Sequence, residues 1–508
     1  MDLRYSSRSV STATFAGGAL AIGALAASRP QLAGVVAVAL AAVSVAVVLA
    51  DRMARVFIAA LGALLVGYAF FGRSFAYLGV PPLYMGEIVL AIGALALLVA
   101  PGFGTALRSP LVWLWFILAG WGAARTLPYL SVYGIDTFRD AVLWGYGAYA
   151  LLVVAFLERS GNLTLTCEWF ARWLPAFTWW APVSWALTTL GGDRVPVLPG
   201  TNTPVVEFNP SCMAVHHAGI AAFLLLGLHR TESRKARPRA RNSDLARWIV
   251  WFVGFCLIAS WTRGGAIAAI TSILIVFLAR PASVRKVGML GVIALAVTLT
   301  FFAFDLSFDT GGYRGKVSPR EIAANFTSII RPDEKDEAKR EGNKSWRLEW
   351  WNKILSYTIH GDLFWVGKGF GVNLADDDGF QVKPDHSLRS PHNGHLAFLA
   401  RAGVPGVSLW LLLQVGFAFI LIQAYLRARR ARDEWWQRVD IWLFAYWMAF
   451  LVNATFDVFL EGPQGGIWFW SIFGFGIVAA DKQRRLFAGA RVGQVRRTVG
   501  LTQLGTAT

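Results

Sequence analysis

One long hydrophilic segment, from about residue 304 to residue 403, interrupts a sequence that is otherwise dominated by apolar runs. Of the 508 residues, 56% are hydrophobic and 16% are charged, whereas a soluble domain carries about 25% charged residues. An apolar run of roughly 20 residues can cross the ~30 Å hydrocarbon core of a bilayer as a helix. The sequence therefore predicts an all-α polytopic membrane protein with one large polar loop.

The apolar runs divide the chain into four regions. We expect an N-terminal transmembrane bundle over residues 1–303, a large external loop over 304–403, C-terminal transmembrane helices over 404–481 and a tail over 482–508. About 12 to 14 spans are predicted by length and apolarity. Their candidate starts lie near Thr12, Leu32, Arg55, Tyr84, Pro110, Phe138, Ala171, Met213, Ala246, Gly264, Lys286, Val404, Val439 and Gly465.

The positive charge is concentrated in short connections between apolar runs. The net charge is +17, and the densest clusters lie at residues 229–241 and 427–432. Lys and Arg accumulate on the cytoplasmic side of membrane spans and also attract anionic lipid. This pattern places both termini in the cytoplasm and the 304–403 loop on the opposite face, and it argues against nucleic-acid binding.

No metal or cofactor site is indicated by the sequence. The three cysteines, Cys167, Cys212 and Cys256, lack the spacing of a metal site or a disulfide framework. The acidic run Asp376–Asp378 lacks the alternating ligands and the distal glutamate of a calcium loop. We therefore expect chemistry that depends on the side chains of the chain itself.

Several arginines fall on the external side, against the charge rule for membrane topology. Taken singly, such a residue is ordinarily an interface residue whose charged end reaches water. Several that converge on one cavity would instead suit an anionic ligand, because a guanidinium binds phosphate oxygens bidentately. Arg263 is the strongest candidate, because two apolar runs flank it closely and a charge at membrane depth requires a partner. The external set is Arg73, Arg125, Arg139, Arg194 and Arg263.

The external loop contains a tryptophan-rich stretch with helical spacing. The spacing of these residues, Trp346, Arg347, Trp350 and Trp351, predicts a short helix. Arg347 and the Trp350/Trp351 side should share one face of this helix. In one interpretation the indoles lie at headgroup level and Arg347 lies in water. In the other, Arg347 binds a diphosphate and the indoles border lipid or sugar.

Two further motifs follow in the loop. The glycines of Gly367–Gly371 predict a tight turn or a close backbone approach, since no βαβ context supports a nucleotide site. Pro391 predicts the first turn of a helix, so His392 and Asn393 should stand at its N-terminus. The positive end of the helix dipole favours a bound anion and a neutral imidazole there. Asn393 could also be a simple cap and His392 an interfacial residue.

Together these residues resemble the bacterial O-antigen ligase/polymerase superfamily. The resemblance covers roughly Ile258–Trp410. Thr262 stands where the family more often has serine. The matching positions are Thr262-Arg263-Gly264, Ser345-x-Arg347 with Trp351, Gly367-x-Gly369-x-Gly371, and His392-Asn393 with Leu396, Leu399, Gly403 and Gly406.

The resemblance implies a glycosyltransferase of the GT-C type in the bacterial inner membrane, with its catalytic loop in the periplasm. The donor would be a glycan on undecaprenyl diphosphate, and no cofactor would be needed. Arg263 and Arg347 would bind the diphosphate, and His392 would activate or orient the acceptor hydroxyl. The residues expected to contact substrate are Arg73, Arg194, Asn393, Trp351 and His395.

Two alternatives remain open. Within the family, a ligase transfers finished glycan to an acceptor such as lipid A core, whereas a polymerase transfers it to another lipid-linked glycan. The stretch Gly79–Glu87 slightly favours an exopolysaccharide or capsule polymerase, with polysaccharide export proteins as possible partners. Outside the family, many spans with arginines facing one cavity would also suit a flippase or transporter of a lipid-linked saccharide, although no inverted repeat is detected.

Overall fold

The computed structural model describes residues 50–81, 83–99, 102–160, 163–201, 203–230, 241–280 and 337–504, with short pieces at 288, 291–292, 308–309 and 316–317. The described chain is mostly helical, which confirms the predicted all-α class. The spans predicted near Thr12, Leu32 and Lys286 lie outside the described residues. The two-stranded ladders are Gly79–Val80 with Leu83–Tyr84, and Phe308–Asp309 with Lys316–Val317, both antiparallel.

The helices follow the predicted apolar runs closely. The first eleven are α1 to α11, in chain order Ala50–Ala76, Met85–Val99, Phe103–Ala106, Pro110–Ala124, Leu130–Tyr133, Ile135–Gly145, Ala148–Ser160, Leu163–Gly191, Pro210–Leu225, Arg241–Trp261 and Arg263–Ala279. The last five are α12 to α16, which are Glu337–Thr358, Leu374–Asp378, Gly394–Arg430, Glu434–Ala454 and Pro463–Leu504.

Fewer helices than predicted are long enough to cross a membrane alone. Among the described residues three qualify, Arg52–Ala76, Pro110–Tyr133 and Gly394–Arg430, and the pair α6 and α7, bent by 47°, makes a fourth if it is one span. The apolar helices α9 and α11 have 16 and 17 residues, which at 1.5 Å per residue falls short of ~30 Å. The chain is therefore a helical membrane protein, while 12 to 14 spans stay a prediction.

The helical bundle has two chemically different ends, and α11 joins them. Its first residue, Arg263, follows Thr262, which alone separates it from α10. At its other end, Arg280 forms an ion pair with Glu434 at 3.1 Å, beside the basic C-terminal turn of α14. Basic residues thus lie at the end of α11 opposite Arg263. α11 packs against α9 and α15 in the middle of the bundle.

The described part of the loop predicted over residues 304–403 has a small core of its own. Trp350 of α12 is fully buried and stacks on Phe380 at a centroid distance of 5.4 Å. Its indole N–H donates to Asp378 Oδ2 at 2.7 Å. Leu399 and Ala400 of α14 belong to the same core. The loop is therefore packed onto α14, which begins at Gly394, within the predicted loop, and breaks at Gly403.

Candidate functional site

His392 lies immediately before the N-terminus of α14. Asn393 is the N-cap, and its side chain accepts hydrogen bonds from the backbone N–H groups of His395 and Leu396 at 3.0 and 3.1 Å. A helix therefore starts at this motif as predicted, but Pro391 and His392 precede the cap and do not lie in the first helical turn, so the prediction for Pro391 is wrong. His392 itself has a φ of 53°, in the left-handed region that non-glycine residues rarely adopt. A conformation of this kind persists where the surrounding structure holds it, and such residues cluster at functional sites.

The side chain of His392 faces a carboxylate from a distant part of the chain. Its Nδ1 lies 4.0 Å from Asp457 Oδ1, and the two side chains are 30% and 33% exposed. A carboxylate at Nδ1 favours the tautomer that carries its proton there, which leaves Nε2 as the proton acceptor. Catalytic hydrogen bonds are often long before substrate binds. The pair thus has the composition of a general base and its orienting group.

The surroundings of Asp457 keep it ionised. Burial raises the pKa of this carboxyl, but interactions with His392, Ser211 and the Val458 amide outweigh it and hold the pKa below its ordinary value. The Val458 N–H donates to Oδ1 at 2.7 Å. Ser211 is in the first turn of α9 and also contacts Asn453. A negative charge therefore stays beside His392, where it would stabilise an imidazolium.

Both arginines of the predicted site lie near the Thr455–Val458 turn that carries Asp457. Arg347 donates to the Phe456 carbonyl oxygen at 3.1 Å. Gly264, next to Arg263, packs so closely on Phe456 that an added Cβ would lie 2.6 Å from the Phe456 Cβ. Thr262 caps α11 by accepting from Gly265 N–H at 3.2 Å. The structure therefore brings the backbone at Arg263 and the side chains of Arg347 and His392 near one short turn.

Neighbouring groups fix the backbone on either side of His392. The Trp351 indole donates to the Pro391 carbonyl at 2.8 Å, which places this tryptophan beside the site as its motif predicts. The Ser390 hydroxyl donates to Glu461 Oε1 at 2.6 Å. Burial raises the Glu461 pKa to about 7, against the opposing influence of Arg401 and the Ser390 hydrogen bond. Glu461 is thus a second carboxyl group close to the segment that carries His392.

The glycine motif makes the close approach predicted from sequence. Gly367, Gly369 and Gly371 all have positive φ, of 60°, 87° and 109°. A Cβ on Gly367 would lie 2.6 Å from the Arg401 backbone, and one on Gly369 would lie 2.1 Å from the Tyr129 ring. The Lys368 and Gly369 amides donate to α14 carbonyls at 2.7 and 2.9 Å. The motif is therefore a backbone junction between the loop and α14, as expected for glycine.

Behind this junction lies a buried ion cluster. Asp140 Oδ2 accepts from Gly371 N–H at 3.0 Å and from Arg389 Nη2 at 2.9 Å, and it forms an ion pair with Arg401 Nη1 at 2.8 Å. The exposed fractions of the Asp140 and Arg401 side chains are 5% and 1%. Arg389 also pairs with the more exposed Asp136 at 3.2 Å. Two positive charges thus converge on a single buried carboxylate, and one of them, Arg389, lies three residues before His392.

The remaining candidate residues lie farther from His392 or are engaged elsewhere. Arg73 is exposed and donates to Tyr77 Oη at 3.1 Å, and Arg194 lies in an exposed turn after α8. The contacts described above join neither side chain to His392. His395 accepts from the Trp410 indole at Nδ1 and donates from Nε2 to the Leu451 carbonyl, both at 3.1 Å. Both ring nitrogens of His395 are therefore occupied, in a tautomer assigned from these partners.

Sequence reasoning missed the acidic residues of the site. Asp457, Glu461 and Asp140 were not singled out, although Asn453, Asp457 and Glu461 recur every four residues between two apolar runs. That polar interruption between α15 and α16 is a signal that could have identified them. Asp140 carries no comparable signal, because its charge is compensated by arginines that are distant in the sequence.

These features define a class of protein: a helical membrane protein with a histidine, an aspartate and two arginines at one polar turn. The family model described as O-Antigen ligase matches residues 248–411. The matched stretch contains Arg263, Arg347 and His392 and confirms the resemblance to an O-antigen ligase-like family. The family is one of glycosyltransferase-like ligases and polymerases that act on lipid-linked glycans. The curated proteins contain no match to the chain.

Proposed function

We propose that the chain is a glycosyltransferase of the bacterial inner membrane that transfers a glycan from undecaprenyl diphosphate to an acceptor hydroxyl at the periplasmic face. The architecture would be GT-C-like, with the loop over the donor headgroup. The observation that carries the proposal is the approach of His392 to Asp457, at the turn that also receives Arg347. The family match over residues 248–411 supports the same reaction class.

In the proposed reaction the acceptor hydroxyl gives its proton to Nε2 of His392 as its oxygen attacks the anomeric carbon. The bond from that carbon to the diphosphate oxygen breaks, and undecaprenyl diphosphate leaves with the electron pair. Asp457 stabilises the imidazolium that forms. Arg263 and Arg347 stabilise the charge that builds on the diphosphate, which is the role of preorganised cationic groups in phosphate departure. One displacement of this kind inverts the anomeric configuration.

The acceptor decides between ligase and polymerase. The decisive experiment supplies purified protein with its undecaprenyl-diphosphate glycan as the only sugar substrate and separates the products on a gel. A ladder of longer lipid-linked glycans identifies a polymerase. Transfer that begins only when a second acceptor such as lipid A core is added identifies a ligase.

Two histidine variants control this experiment. His392→Ala should lower the transfer rate by about 10²- to 10⁴-fold, the usual contribution of a general base. His386→Ala is the matched control, because His386 is 68% exposed and its ring pairs with Asp376 rather than with Asp457. Equal losses in the two variants would contradict the role of His392. Movement of the lipid-linked glycan across the bilayer without any new glycosidic bond would support the transporter alternative instead.

A further inference from the structure

Three separate parts of the chain meet at the Asp140 carboxylate. It lies in α6, accepts from the Gly371 amide of the glycine motif and from Arg389 of the loop, and forms an ion pair with Arg401 of α14. The arginines extend these connections through the backbone: Arg401 donates to the Val372 and Arg389 carbonyls at 2.9 and 3.3 Å. The cluster therefore fixes the position of the loop relative to both helices.

The geometry of the cluster is tightly determined. Arg389 Nη2 donates both to Asp140 and to the Gly371 carbonyl at 2.8 Å, so its guanidinium cannot rotate without losing two bonds. In a buried setting such charge-assisted bonds are short, directional and poorly replaced by water. A neutral side chain at position 140 would leave two buried guanidinium groups without their shared counter-charge.

The backbone that follows Arg389 leads directly to His392. Only Ser390 and Pro391 separate them, and both are held, by Glu461 and by Trp351. His392 adopts its left-handed conformation between this segment and the Asn393 cap. A strained residue keeps its conformation only while its neighbours are fixed on both sides. The ion cluster supplies the fixed point on the N-terminal side.

We propose that Asp140 is a positioning residue for the transfer reaction, which holds the His392 imidazole at Asp457 through Arg389 and Arg401. This inference rests on the proposed function for its role in turnover. Asp140 makes no contact with substrate in this scheme. Its effect is transmitted by the backbone from Arg389 to His392, and binding of the diphosphate at Arg263 and Arg347 is independent of it.

The kinetic test compares Asp140→Asn with Asp136→Asn, one helical turn earlier. Asp140→Asn should lower kcat by about 10- to 100-fold, the range typical of groups that orient a functional side chain, with little change in the KM for the donor. Asp136→Asn should have a much smaller effect, because this carboxylate is 43% exposed and pairs with only one arginine. Equal effects of Asp140→Asn and Asp136→Asn on kcat would overturn the proposal. A rise in the KM for the donor with an unchanged kcat would also overturn it.

A second comparison uses the His392→Ala background. If Asp140 acts through His392, adding Asp140→Asn to His392→Ala should leave the residual rate unchanged, since the group being positioned is already absent. A merely structural aspartate would lower the residual rate by the same factor in both backgrounds, and that result would overturn the proposal.

A spectroscopic readout makes the inference independent of turnover. The protein has 7 histidines, so the His392 ring signal in ¹³C-histidine-labelled protein is assigned as the one that His392→Ala removes. Its chemical shift should change in Asp140→Asn and stay the same in Asp136→Asn. If Asp140→Asn does not fold, Asp140→Glu displaces the carboxylate by one methylene, and the same shift is expected. If the His392 signal does not move in the Asp140 variant, the positioning role is refuted. If the signal moves but the wild-type protein shows no transfer activity, only the proposed function is refuted.

Discussion

Two aspartates act on the same short stretch of chain, and they differ in almost every physical respect. Asp457 is one-third exposed and lies 4.0 Å from the His392 ring. Asp140 is 5% exposed and is shared by Arg389 and Arg401. One touches the proposed base directly, whereas the other reaches it only through the backbone.

The difference separates a chemical role from a geometric one. A partly exposed carboxylate beside an imidazole can stabilise the proton that the imidazole takes up, and the cost of reorganising the site is small. A buried carboxylate between two guanidinium groups instead fixes their positions, because loss of its charge would break the ion pair of Arg401 and leave Arg389 paired with Asp136. The comparison predicts that Asp457 governs the rate and its pH dependence, while Asp140 governs stability and the alignment of His392.

The largest effect on activity should come from removing the charge beside His392. Asp457→Asn keeps the size of the side chain but cannot stabilise an imidazolium, so the transfer rate should fall by about 10²-fold or more. The matched control is Asp376→Asn, because Asp376 pairs with His386 at 2.8 Å on the exposed surface of the loop. A rate above half of wild type in Asp457→Asn would remove this residue from the mechanism.

The largest effect on stability should come from Asp140. Breaking a buried ion pair by neutralising one partner typically costs about 3 to 5 kcal/mol, whereas the pair of Arg389 with Asp136 should contribute only about 1 kcal/mol, because the Asp136 carboxylate is 43% exposed. Chemical denaturation in detergent, followed by the helical signal, should therefore separate Asp140→Asn clearly from Asp136→Asn. Indistinguishable midpoints would mean that the cluster contributes nothing to the folded state.

The sequence predicted those parts of the site that obey local rules. The helix start at Asn393, the backbone junction at the Gly367–Gly371 motif and the narrow break at Arg263 all follow from capping, positive φ and charge at membrane depth. Each depends on residues within a few positions of one another, and the structure confirms their local geometry.

The acidic half of the site could not be predicted in the same way. Asp140 meets Gly371 across 231 positions, and Ser390 meets Glu461 across 71. Such pairings arise from helix packing, which no local periodicity encodes. The number of spans stays a prediction for a related reason, because apolar composition does not distinguish a short buried helix from one that crosses the membrane.

A third carboxyl group, that of Glu461, tests whether burial alone gives a carboxyl group a structural rather than a chemical role. Glu461 has a pKa raised from 4.5 to about 7 by burial, so its contribution to stability is present below pH 4.5 and is lost as the pH rises through 7. Glu461→Gln keeps an acceptor for Ser390 without a charge. Between pH 5 and 8 the wild type should lose stability relative to this variant, by on the order of 2 kcal/mol. If the thermal midpoints of the wild type and of Glu461→Gln changed in parallel with pH, ionisation of Glu461 would not lower the stability of the folded protein.

The smallest effect should come from the neutral contact to the same segment. Trp351→Phe removes the indole hydrogen bond to the Pro391 carbonyl, a neutral bond worth about 1 kcal/mol, so kcat should fall only about fivefold. Trp365→Phe is the matched control, because this indole on the same loop is 67% exposed. If Trp351→Phe lowered kcat as strongly as Asp140→Asn, a single neutral contact would hold the His392 segment as firmly as two ion pairs. The contrast between the two aspartates would then reflect proximity to His392 rather than buried charge.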